Sequence, residues 1–267
     1  MVDGRMVDGK MPDGKMPDGK TALVTGGSRG IGRAIVEVLA ARGYRVMFSY
    51  LKNKAGADEV VSAVTSAGGE ARAVQADAAE AEAASKIVRA TIDAWGRIDV
   101  LVNNAGTHLP GVTIADTPAA EWDRIIRTNL YGPFHLVQAA LPTMREQGRG
   151  NIVNISSNVT QRFPAGYGAY TVSKSALDTM TRILSKEEGP NGIRVNAVAP
   201  GPIRTDMLAE ALDGLDSDKA RAFTSSVPLR RAGEPAEIAE AVAFLVSDAA
   251  SYMTGQVVYV NGGGPGG

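Results

Sequence analysis

No cysteine occurs anywhere in the 267 residues. Disulfide staples, thiolate metal sites and cysteine nucleophiles are therefore excluded. Histidine is nearly absent too, with only His108 and His135. A histidine-rich metal centre cannot be built from two residues, and a Ser-His-Asp triad would have to use one of them. His135 lies in the apolar helical pattern of residues 130–140, which suits packing or capping; His108 lies in a loop, on the surface or lining a pocket. No metal site is expected. A surplus of one charge is missing as well: 28 Lys and Arg stand against 29 Asp and Glu, a net charge of −1. That leaves no basic field for nucleic acid. No apolar run approaches the ~20 residues that cross a bilayer, and no signal-peptide pattern precedes the apolar segments. The expected partners thus include no nucleic acid and no membrane, and the expected localisation is cytoplasmic.

What is present first is a repeat. Residues 1–20 are four copies of one five-residue unit, MVDGR, MVDGK, MPDGK and MPDGK. The unit is polar, carries Asp-Gly turn signals and has no aromatic residue. It cannot bury enough surface to offset its ordering entropy. Residues 1–19 read as a flexible arm, and 20–267 as a single domain with no internal linker.

The domain alternates between two patterns. Short apolar runs at 21–24, 45–50, 71–76, 98–102, 151–155, 193–198 and 256–260 read as strands. Between them, residues 31–39, 55–67, 79–95, 118–145, 168–188 and 235–247 read as helices, with a kink expected at Gly132-Pro133. Residues 206–226 are helical but polar and interrupted, which suits a mobile lid. Continuous apolar strands alternating with helices predict a parallel sheet covered on both faces. With right-handed crossovers this is a Rossmann-type, doubly wound α/β fold of seven strands. Its ligand site then lies at the carboxyl ends of the strands, in the loops 25–32, 49–52, 77–78, 103–107, 156–163 and 200–207.

The first of these loops is Thr25-Gly26-Gly27-Ser28-Arg29-Gly30-Ile31-Gly32. Strand, glycine turn and helix in that order hold a phosphate: glycine admits a tight turn and close approach, and the helix start offers free N–H groups and a positive dipole end. The G-x-x-x-G-x-G spacing differs from the commoner dinucleotide fingerprint. In the helix after the fifth strand, Tyr170 and Lys174 share one face at i, i+4. An ammonium near a phenol favours the phenolate, which would let Tyr170 exchange a proton near neutral pH. Tyr50 and Lys54 repeat that spacing, but thirteen residues before Tyr50 stands Glu37; thirteen before Tyr170 stands Ser157, at the end of the fifth strand. Asn129 is a polar residue in an apolar helix, a satisfied buried amide or part of the site.

The set TGGSRGIG (25–32), NNAG (103–106), Asn129, Ser157, YTVSK (170–174) and APGPIRTDM (199–207) resembles the short-chain dehydrogenase/reductase family, in particular its branch of β-ketoacyl carrier-protein reductases and carbonyl reductases. The resemblance spans residues 20–263; Tyr50-Lys54 falls outside it. It implies that Tyr170 protonates a substrate carbonyl, Ser157 holds that oxygen, Lys174 lowers the Tyr170 pKa and binds the nicotinamide ribose, and Asn129 fixes a relay water. It further implies that Gly26, Ser28, Gly30, Ile31 and Gly32 cradle the pyrophosphate, with Ser49 and Tyr50 beside the adenosine. Asn104, Ala105 and Gly106 would follow the adenosine ribose, and Pro200, Gly201, Ile203 and Thr205 the nicotinamide end. Asp77 would bind the adenine amino group, or cap the next helix.

The choice of nicotinamide follows from charge. The second strand ends Ser49-Tyr50-Leu51-Lys52, with no acid to accept a ribose 2′-hydroxyl, while Arg29 and Lys52 offer cations for a 2′-phosphate. The expected cofactor is NADP(H). The substrate is expected to be a free small ketone, or the alcohol in reverse; the alternatives are a carrier-bound 3-oxoacyl group and, in another class, a non-catalytic NADP(H)-binding sensor, against which the presence of Asn129, Ser157, Tyr170 and Lys174 speaks. Carrier-protein reductases place basic residues where this chain has Gly148 and Asn191, although Arg145 and Arg149 are near. Phe163 and Tyr167 would wall a pocket for a hydrophobic or cyclic ketone, or pack against the lid. The resemblance implies a homotetramer, for which the helices at 118–145 and 165–188 offer Leu136, Val137, Leu141, Ala176, Leu177 and Met180; core packing would use the same residues.

Overall fold

A computed structural model describes residues 19–213 and 227–264. Residues 1–18 of the expected arm and residues 214–226 of the expected lid lie outside the described residues. The seven strands are β1 (Thr21–Val24), β2 (Arg45–Tyr50), β3 (Glu70–Gln75), β4 (Val100–Asn103), β5 (Gly150–Ile155), β6 (Ile193–Pro200) and β7 (Val257–Val260). They form one sheet in the order β3-β2-β1-β4-β5-β6-β7, and every pairing is parallel. The winding direction reverses between β1 and β4. The loops leaving those two strands diverge and open a crevice at their carboxyl ends.

Side chains alternate between the two faces. In β1, Ala22 and Val24 enter one core and Leu23 the other. The first core lies under α1 (Gly30–Ala41), α2 (Lys54–Ser66) and α9 (Pro235–Val246); the second lies under α3 (Ala81–Trp95), α5 (Gly132–Glu146) and α7 (Gly168–Glu188). The edge strand β3, Glu70-Ala-Arg-Ala-Val-Gln75, departs from the expected apolar run. Only Ala71 is buried, because an edge strand has one neighbour and less cover.

The long helix expected over 118–145 is broken earlier than its proline. α4 (Ala119–Ile126) leads into a π-helical turn, Arg127–Tyr131, before α5 begins. Pro133 has no N–H to give the turn below it, and Gly132 lets the backbone pass Ala78, whose carbonyl oxygen would lie 2.5 Å from a Cβ there. Single π turns of this kind frequently occur at functional sites, and this one carries Asn129. Two shorter helices, α6 (Val159–Arg162) and α8 (Asp206–Leu212), follow β5 and β6.

Of the six apolar residues proposed for an intersubunit face, Ala176 and Met180 are half-buried and the other four are used inside the molecule. Leu136, Val137, Leu141 and Leu177 are all buried. The side of these helices turned away from the sheet carries Tyr131, Phe134, Val172 and Ile183, all exposed. No described helix is long and apolar enough to cross a membrane.

Candidate active site

The glycine turn leaving β1 is held from both neighbouring strands. The Gly26 N–H donates to Ser49 Oγ (3.3 Å), and the Gly27 N–H to the Ser49 carbonyl (2.9 Å). Asn104 Nδ2 donates to the carbonyls of Thr25 (2.8 Å) and Gly26 (3.2 Å). Gly26 takes φ +68°, open to glycine at little cost. A Cβ at Gly32 would overlap the Gly26 carbonyl oxygen, so α1 can start this close to the turn only without a side chain. The Asn104 amide is thus committed to the turn, and its role here is to brace the site.

The start of α1 carries no side-chain cap from Arg29 and no acid in its first turn. Its leading N–H groups and dipole face the crevice, where an anion would satisfy them. This fits a dinucleotide pyrophosphate. Across the crevice, a Cβ at Gly30 would lie 3.3 Å from Thr205 Cγ2, and Arg29 Nη1 pairs with Asp206 Oδ2 at 2.8 Å. Thr205 caps α8, and Ile203 is buried against Gly233. Pro200 and Gly201 end β6 on the same rim; a Cβ at Gly201 would strike Asn261. Ser28 is buried and Ile31 half-buried at the turn. At the tip of β2, Tyr50 is buried in the core while Lys52 is exposed. Asp77 Oδ1 accepts from the Ala79 N–H (3.0 Å) in the turn ahead of α3, whose N-cap position is Glu80.

Four polar residues converge at the ends of β4 and β5. Ser157, Tyr170 and Lys174 are all under 10 % exposed, and Asn129 is fully buried. The Ser157 hydroxyl accepts from the Val159 N–H (3.3 Å) and lies close enough to Tyr170 to favour its ionised form. Lys174 Nζ donates to the Ile155 carbonyl (2.7 Å) and sits 5.8 Å from the centre of the Tyr170 ring. Gly106 lies against the same ammonium; a Cβ there would be 3.5 Å from Nζ. Asn129 clamps the loop after β4: Oδ1 accepts from the Thr107 N–H (2.8 Å), and Nδ2 donates to the Thr107 carbonyl (2.8 Å) and Ser173 Oγ (3.0 Å).

One expectation is corrected here. Lys174 does not bring the Tyr170 pKa down in the chain alone. Burial pushes the phenol up, and the Ser157 hydroxyl only partly offsets this. Lys174 is itself lowered to about 8 by burial, with Asp178 opposing. The low-dielectric surroundings penalise each charged form more than either charge helps the other.

Other residues fall differently from their expected places. Tyr50-Lys54 is split, the lysine pairing with Asp58 on the α2 surface at 2.6 Å. Phe163 points out, 67 % exposed, and walls nothing among the described residues. Tyr167 faces His108, with ring centres 6.4 Å apart. His108 is buried 6.0 Å from the Tyr170 ring and paired with Glu210 of α8. Its sequence surroundings, Thr-His-Leu-Pro, gave only the signal of a loop. His135 stands half-buried beside Phe134 and Tyr131.

A glycine-turn crevice joined to a buried Ser-Tyr-Lys cluster defines a dinucleotide-dependent oxidoreductase. A family model described as enoyl-(acyl carrier protein) reductase matches residues 26–264. The 3-oxoacyl-[acyl-carrier-protein] reductase FabG of Staphylococcus aureus is 40 % identical over 243 residues, covering 91 % of this chain and 97 % of that protein. The L-rhamnose 1-dehydrogenase (NAD(P)(+)) of Azotobacter vinelandii is 42 % identical over 247 residues, covering 91 % and 95 %. A blue fluorescent protein from a metagenomic library, solved with NADPH, superposes with TM-score 0.84 at 41 % identity over 92 % of this chain and 98 % of that one. The chain belongs to the short-chain dehydrogenase/reductase family, oxidoreductases of alcohol and keto groups that use nicotinamide cofactors.

Proposed function

We propose that the protein reduces a ketone of a free small molecule to a secondary alcohol with NADPH, or runs the reverse oxidation. The observation carrying this reading is the buried cluster of Ser157, Tyr170 and Lys174 at the end of β5, with Lys174 Nζ 5.8 Å from the centre of the Tyr170 ring. When bound, the nicotinamide supplies the hydride. Ser157 holds the carbonyl oxygen in place. Tyr170, its pKa raised, keeps its proton at neutral pH and delivers it as that oxygen gains charge. Lys174 holds the nicotinamide ribose hydroxyls and replaces the proton Tyr170 gives up. The π turn at Asn129 holds the relay water, and the Asn129 side chain keeps Thr107 and Ser173 in register for it.

Charge at the rim supports NADP(H). No acid stands at the end of β2, and the exposed Arg29 and Lys52 are available to a 2′-phosphate, Arg29 by exchanging Asp206 for it. The exposed stripe of Tyr131, Phe134, Val172 and Ile183 supports a homotetramer built on the outward sides of α5 and α7.

The relatives named as acyl-carrier-protein reductases favour a second reading, a carrier-bound 3-oxoacyl substrate. The arginines near the expected docking positions are engaged: Arg145 holds the buried Glu188 at 2.5 Å, and Arg149 approaches Asp99 at 3.7 Å. Nicotinamide absorbance with a panel of free ketones and an acyl-carrier ketoester separates the two. Turnover of free ketones is expected; turnover of the carrier substrate alone would overturn the first reading.

A further inference from the structure

We propose that His108 and Glu210 form the polar wall of the substrate pocket, and that the substrate is a neutral ketone bearing a hydroxyl next to the reacting carbonyl. This rests on the Ser157–Tyr170 chemistry proposed above and names its substrate class. Three observations carry it. First, the position of the imidazole is set by the scaffold. Arg124 binds Thr107 Oγ1 and the His108 carbonyl, while Asn129 holds both main-chain groups of Thr107. Second, the ring stands edge-on to the Tyr170 ring, with centres 6.0 Å apart and planes at 67°. A group bound at this ring is therefore one side chain away from the phenol. Third, the buried imidazole meets a carboxylate that arrives from solvent. His108 Nε2 lies 3.2 Å from Glu210 Oε2, with the His108 side chain 6 % and the Glu210 side chain 60 % exposed.

The imidazole is already out of water and held by Glu210, so a polar group of the substrate can join the pair with little further desolvation. An alcohol suits the pair, because one hydroxyl can donate to the carboxylate while accepting from a ring N–H. A substrate without it leaves the two groups bonded only to each other and forgoes a charge-assisted hydrogen bond, which is the source of the discrimination. The carboxylate also repels anionic substrates. In the reaction, the carbonyl carbon gains the hydride of the nicotinamide and its oxygen the proton of Tyr170. The products are a vicinal diol and oxidised nicotinamide, and the neighbouring hydroxyl is unchanged.

The test compares cyclohexanone with its alpha-hydroxy derivative in the parent, in Glu210→Gln and in His108→Phe. The parent should favour the hydroxy ketone in kcat/KM by about a hundredfold. Glu210→Gln should cut that ratio about tenfold, and His108→Phe should abolish it. Equal reduction of both ketones by the parent, or variants that keep the parent ratio, overturns this inference and leaves the reductase reading intact. If the parent reduces neither, the reductase reading is the one in trouble. Calorimetry on the NADPH-loaded protein then decides this inference. The matching vicinal diol should bind at least tenfold more tightly than cyclohexanol, with the difference lost in His108→Phe; equal affinities overturn it.

Discussion

The two sides of the crevice are built on opposite principles. At the ends of β4 and β5, Asn129, Ser157, Tyr170 and Lys174 are buried, and the Asn129 amide and the Lys174 ammonium hold named partners in the scaffold. At the rim between the glycine turn and α8, Arg29 and Asp206 are 64 % and 67 % exposed and, among the described residues, hold only each other. An exposed pair of this kind is worth at most about 1 kcal/mol, so a ligand phosphate can break it at little cost. A buried amide with three bonds cannot be redirected so cheaply. The proposed chemistry thus falls where bonding over-determines geometry, and the proposed cofactor choice where charge stays available.

Tyr170→Phe tests the buried side most severely. It should lower kcat by about 10²- to 10⁴-fold and leave the cofactor dissociation constant unchanged in a fluorescence titration. Equal losses in both would mean that Tyr170 builds the site without acting in it. Asn129→Leu removes three hydrogen bonds from a dry position. Calorimetry should show a loss of about 3 kcal/mol, a Tm lower by roughly 6–12 °C.

On the rim, Arg29→Ala should raise KM for NADPH about 10- to 100-fold and move KM for NADH far less. Equal shifts for both cofactors would sink the 2′-phosphate assignment. The pH dependence reports on Lys174. Its pKa of about 8 lies below the unfolded value, so below pH 8 both forms carry the proton. Ketone reduction should hold up to that point and fall about tenfold by pH 9 as the ammonium is lost. Between pH 8 and the unfolded value the unfolded chain binds more protons, so stability should rise over the same window. A parallel fall of activity and Tm would contradict the buried-lysine assignment. The smallest effect belongs to Asp206→Asn, which should change Tm within error and lower KM for NADPH by no more than about fivefold.

Much of this was legible along the chain. The strand-turn-helix at 21–41 follows from an apolar run, a glycine cluster and a helical period; the i, i+4 spacing alone puts Tyr170 and Lys174 on one face. Other features were out of reach. Nothing in Thr107-His108-Leu109 signals burial against Tyr170, because the partner that completes the contact, Glu210, lies 102 positions away. The apolar stripe of α5 and α7 reads equally well as core or as interface until the sheet decides which side it faces. Asn104 looks like a ligand contact in the sequence; only the β1–β4 neighbourhood shows its amide bonded to Thr25 and Gly26.

By itself the sequence determined the alternation of strands and helices, the glycine turn and the spacing that sets Tyr170 and Lys174 on one helix face. These depend on local sterics and on periodicity within one element. The tertiary structure alone decided the strand order that brings the ends of β1, β4, β5 and β6 together, the π turn at Asn129, the pairing of Arg29 with Asp206, and the upward shift of Tyr170. Each of these depends on which groups distant in the chain the fold brings side by side, and local periodicity carries no record of that.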